Sequence, residues 1–187
     1  TINVMTGRLH LTGDEEADRL LVSEPMALLI GFALDQQVPV QKAFSGPKVL
    51  LDRLGSIEAR HLATVDEEQL LAAAKGPPAI HPFPAAMAKR VRELATYVDR
   101  TFDGDASRLW TDASDARDLK ARIAALPGFG DMKVASLFAV VYYTNMKATL
   151  DALDAVKGDL SDGHKKYRAA MAKMKLKLPT GEHTLET

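Results

Sequence analysis

The chain has 187 residues, with 24 Lys and Arg against 25 Asp and Glu, and no Cys. That length buries a real core in one domain or two small lobes, while the lack of Cys excludes disulfides, thiolate-bound zinc and iron–sulfur clusters, and the five His show no metal-ligand spacing. Net charge is only −1, but residues 164–178 hold six cations and no acid, which leaves −7 for the rest; this stretch reads as a solvated helix face or as a patch for a phosphate partner.

Helical signals recur along the chain and convincing strands do not. Thr12 followed by Glu15 is a capping box, and it opens a helix through Val22. Pro25 suits the first turn of the next helix, which the apolar run at residues 26–34 carries to about Gln37. Nine apolar residues are too few to cross a bilayer and no targeting pattern precedes them, so the expectation is a soluble cytoplasmic protein. Gly46-Pro47 interrupts the next segment. Asp66 caps a helix over residues 67–75, and Gly76-Pro77-Pro78 stops it, first by freeing φ and then by removing a backbone donor.

Residues 77–84, P-P-A-I-H-P-F-P, hold four prolines in eight positions and read as a stiff, exposed loop. Val91, Leu94, Ala95, Val98 and Phe102 then recur at helical spacing, a long amphipathic helix from about Ala85 that Asp-Gly-Asp ends. A helix over residues 115–125 runs into Pro127-Gly128-Phe129-Gly130, and another starts at Asp131. Tyr167, Met171, Met174 and Leu178 mark the apolar face of a last helix. With no internal repeat, the class is all-α.

Two helices joined by L-P-G-F-G form a hairpin whose glycines can take positive φ and leave backbone N–H groups uncovered by any Cβ. Those donors, with the positive end of the helix starting near Asp131, make a small anion-binding concavity, and Leu126 and Phe129 would face inward to lock the helices. An ordinary helix C-cap followed by a helix start is the alternative, and it needs only one glycine.

With these residues in view the chain resembles the helix-hairpin-helix (HhH-GPD) DNA glycosylases of base excision repair, in a small branch without an iron–sulfur cluster. The resemblance runs from about Leu9 to Val141. It rests on the hairpin, on A-L-L-I-G-F-A-L-D-Q-Q-V-P-V from Ala27, and on I-H-P-F-P-A-A-M-A-K-R-V from Ile80. It implies a two-lobed helical fold: residues 24–143 as a barrel-like lobe containing the hairpin motif at about 115–141, and residues 1–23 with 144–187 as the second lobe.

The implied activity is hydrolysis of the N-glycosidic bond of a damaged or deaminated base flipped out of double-stranded DNA, by a nucleoid-associated monomer with no membrane partner. By motif position Gln37 is the polar plug and Phe83 the apolar wedge that fills the vacated gap, with His81 a further DNA contact of the same group; the alternatives for Gln37 and Phe83 are a helix C-terminal residue and a core aromatic. Gly128, Phe129, Gly130 and Lys133 become phosphate contacts. The catalytic aspartate of the family lies a little over twenty residues beyond the first hairpin glycine. Asp151, twenty-three residues after Gly128, falls in that window, although Asp151 and Asp154 also suit a helix N-terminus; Asp35, beside the Gln pair, is a third candidate. Met132 stands where lyase members carry their nucleophilic lysine, so the implied enzyme is monofunctional.

No cofactor is implied, beyond a monovalent cation that the family's hairpin carbonyls can hold. Two features depart from the family: Asp131 stands where many relatives have a basic residue, and the chain after Tyr142 does not follow the branch. A non-catalytic DNA-binding module that keeps hairpin and wedge, and a helical protein-interaction domain, are the competing readings.

Overall fold

The computed structural model describes residues 9–155, and among them every regular element is an α-helix. The stretch at residues 164–178 and the last expected helix lie outside the described residues. The first helix, α1 (Glu15–Ser23), is capped by Asp14 and not by Thr12: the Asp14 carboxylate accepts the Ala17 N–H at 2.8 Å. Thr12 instead turns its hydroxyl and amide onto buried Asp18, at 2.8 and 2.9 Å, which straps the preceding segment to the helix.

The centre of the fold is α2 (Pro25–Leu34), in which every residue after Pro25 is buried. A helix apolar on all sides has to be surrounded, and α1, α3 (Val40–Leu54) and α6 (Pro84–Phe102) pack against it. It stops at Leu34, three residues short of the expected end: Asp35 is its C-cap, and Gln37 takes φ 54° in the adjoining turn.

Gly46-Pro47 does not break the chain. Both are buried within α3, and the reason is tertiary. The absent side chain of Gly46 is filled by Leu34, and that of Gly31 by the ring of Phe44, so that α2 and α3 interlock through a glycine on each.

The helix α5 (Glu67–Lys75) is as expected: Asp66 accepts the amides of Glu68 and Gln69 at 2.9 and 3.1 Å, and the helix ends before Gly76. Two short helices, α4 (Ala59–Thr64) and α7 (Arg108–Thr111), are not anticipated by any sequence signal; neither has a side-chain cap hydrogen bond. Both α4 and α5 lie against α6, which ends at Asp103 in the left-handed region. Asp115 caps α8 (Ala116–Ala124), which pairs with the long α9 (Asp131–Ala155). That last helix runs unbroken across the expected lobe boundary at residues 143 and 144, and α1, assigned to the other lobe, packs against α2 and α3. No helix among the described residues is long and apolar enough to cross a membrane.

Candidate functional site

The proline-rich loop at residues 77–84 is less exposed than its composition suggests. Prolines supply carbonyl acceptors and no donors, so the loop depends on cations from elsewhere. Lys42 donates to the Ala79 carbonyl, and Arg53 reaches the Pro78 carbonyl at 2.9 Å and the Ala73 carbonyl at the end of α5. Ile80 and His81 are buried; Phe83, the next residue but one, remains 60% exposed.

His81 joins this loop to the turn after α2. Its Nε2 donates to the Gln36 carbonyl at 2.9 Å, and its Nδ1 accepts the Phe83 N–H at 3.0 Å. The expected wedge and plug, 46 residues apart in sequence, therefore share one buried side chain. His81 itself has 2% of its surface exposed, so it supports that face and is not a contact residue on it.

The hairpin is tied to the same place. Lys133 donates from Nζ to the Ala33 carbonyl at 3.1 Å, with its amine 5.7 Å from the centre of the Phe129 ring. Burial, and behind it the field of Arg90, pulls the Lys133 ammonium below its ordinary value, while Asp35 opposes both. Its amine is thus directed at the C-terminal carbonyls of α2, where the helix dipole favours a cation, and not outward as a phosphate contact would be.

Within the hairpin, Leu126 and Phe129 are buried and hold α8 to α9 as expected. Of its two glycines only Gly128 has positive φ, at 75°; both are exposed, with nothing within 4 Å of where a Cβ would stand. Asp131 and Met132 are exposed in the first turn of α9, Met132 at 82%. Only Val40, Phe83 and Met132 are exposed large hydrophobics among the described residues. All three belong to the segments linked by His81 and Lys133 or adjoin them in the chain.

No protein-family model, curated protein or solved structure matches this chain. The site therefore stands on its own geometry.

That geometry divides the three carboxylates. Asp35 lies at the junction of α2, the Gln turn and Lys133. Asp151 and Asp154 lie near the far end of α9, neither of them in its N-terminal turn, and their side chains are outside the described residues. Twenty residues of helix separate Asp131 from Asp151, a rise of about 30 Å. Among the described residues no group of three or more His, Asp or Glu is placed to hold a metal. Sequence reasoning missed the linking roles of His81 and Lys133, for which no local pattern exists.

Proposed function

We propose that the protein is a DNA glycosylase of the helix-hairpin-helix type, acting on a damaged or deaminated base in duplex DNA without lyase activity. The observation that carries this reading is the linkage of three segments at one end of α2. The Gln36-Gln37 turn, the Phe83 loop and the glycine hairpin are held together by His81 and Lys133.

Each part has a task in this chemistry. Swinging a nucleotide out of the stack costs a few kcal/mol, and a stiff apolar side chain beside a polar one can fill the space left behind. Phe83 and Gln37 are exposed and able to do so. The uncovered amides of Gly128 and Gly130 suit one backbone phosphate, a contact that positions the duplex without reading its sequence. As the glycosidic bond breaks, positive charge grows on the sugar and a fixed carboxylate lowers the barrier. Asp35 is the carboxylate beside these segments; it would stabilise that charge and accept a proton from the attacking water.

The test is base excision under single turnover, on duplexes carrying uracil, hypoxanthine, 3-methyladenine or 8-oxoguanine, followed by alkaline cleavage. Strand breaks at one of these bases are expected. Phe83→Ala should reduce the rate on duplex much more than on single strands, because only a duplex must be unstacked; equal losses would make Phe83 a folding residue. Duplex binding with no excision of any of the four bases would favour a non-catalytic DNA-binding module. The unbroken run of α9 through Asp151 speaks for that second reading.

A further inference from the structure

His81 is buried to 2% exposure, yet both its ring nitrogens have partners on the exposed face: the Gln36 carbonyl at 2.9 Å and the Phe83 N–H at 3.0 Å. A carbonyl can only accept and a backbone N–H can only donate, so the two contacts together require one tautomer, with the proton on Nε2 and the lone pair on Nδ1. Each contact bears on a prong. The first holds the carbonyl immediately before Gln37, which sits at φ 54°, a conformation a glutamine keeps only when its surroundings hold it. The second holds the amide of Phe83, which lies between Pro82 and Pro84, and the His81 and Phe83 rings stand 5.8 Å apart.

We propose that His81 is a positioning residue that makes Gln37 and Phe83 one rigid two-pronged probe, so that the two enter a duplex together; this rests on the duplex-DNA reading above. Insertion into a base stack needs both prongs at a set separation. Two loops free to move independently would lose the energy of insertion to the entropy of ordering them. The joint has no need to touch DNA, which agrees with its burial.

The experiment uses a duplex with a tetrahydrofuran abasic site and 2-aminopurine opposite it, whose fluorescence rises when that base is unstacked. His81→Gln keeps a donor within reach of the Gln36 carbonyl and loses the acceptor for Phe83; His81→Asn keeps the acceptor and loses the reach. A third chain carries phenyllactate in place of Phe83, which deletes the N–H and leaves both the aromatic ring and His81 intact, so that the test does not depend on a substitution in the core.

Wild type should bind and brighten. All three altered chains should bind within about threefold of wild type, since phosphate contacts carry that affinity, yet brighten at least about fivefold less, because insertion is what fails. Adding His81→Gln to Phe83→Ala should cost no more brightening than Phe83→Ala alone, as expected when two changes remove one event. Full brightening in the phenyllactate chain would overturn the joint while leaving the duplex reading standing. Wild type that binds without brightening would defeat the duplex reading itself.

Discussion

Asp18 shows how one buried charge organises the start of the described chain. Its carboxylate accepts the amides of Leu11 and Thr12 and the Thr12 hydroxyl at 3.1, 2.9 and 2.8 Å. Burial pushes this carboxyl up, but those hydrogen bonds outweigh it and hold Asp18 below the ordinary 3.8. Because the folded value is the lower one, the stabilisation is fully present above the unfolded aspartate range and is lost as pH falls through the folded value. Asp18→Asn should therefore cost about 1–3 kcal/mol at neutral pH, with the difference from wild type closing in acid; urea titrations at several pH values would show it. A gap independent of pH would mean that packing, and not charge, holds the strap. The hairpin glycines separate in a similar way. Gly128→Val has to adopt φ 75° and should destabilise the fold by about 1–2 kcal/mol. Gly130→Val meets open space at ordinary φ and should cost less, while weakening duplex affinity regardless of sequence. Wild-type affinity in folded Gly130→Val would remove the phosphate contact from the proposed function.

At the level of elements, the pairing of α2 with α3 depends on surface that is missing. A Cβ at Gly31 would run into the Phe44 ring, which also stands edge-on to Phe32 at 5.0 Å and has little freedom to retreat. Gly31→Val should thus destabilise by about 1–3 kcal/mol, the usual result of overfilling a packed core, read as an earlier urea midpoint with unchanged slope. A neutral result would mean that α2 and α3 can slide apart without loss. A second device recurs between elements. Lys133, Arg92 and Arg53, from three different helices, donate to carbonyls in the last turns of α2, α4 and α5. Helix C-termini leave such acceptors free and carry partial negative charge, so each cation satisfies two needs at once. These contacts direct the three cations into the fold.

For the molecule as a whole, topology favours Asp35 as the carboxylate of the proposed chemistry. If α9 carries Asp151 about 30 Å of helix away from the hairpin, Asp151→Asn should excise at close to the wild-type rate. Asp35→Asn should bind duplex and lose about 10²–10³-fold in single-turnover rate, the usual effect of removing one preorganised electrostatic group. The reverse result would restore the carboxylate that motif spacing indicates and require α9 to bend back upon the site when DNA binds. Near wild-type rates in both variants, and in Asp154→Asn, would defeat the catalytic-aspartate mechanism.

Features that depend on a few consecutive residues were legible in the sequence. Asp66 caps where it should, the helix expected from Asp115 is present with Asp115 just ahead of its first residue, Gly76 ends its helix, the apolar run at residues 26–34 is buried, and Leu126 and Phe129 turn inward. In each case a local hydrogen bond, a φ restriction or a hydrophobic run decides the outcome. The all-helical class comes from the same signals, whereas α4 and α7, with six and four residues and no side-chain caps, offer too few of them. Packing between distant segments settled that Gly46-Pro47 continues a helix, that Gln37 leaves its helix for the left-handed region, that His81 goes inside while Phe83 stays out, and that Lys133 turns inward. The physical reason is distance along the chain. His81 finds its partner 45 residues away and Lys133 finds its partner 100 residues away, so their directions are set only once the helices have packed and left those carbonyls as the acceptors within reach.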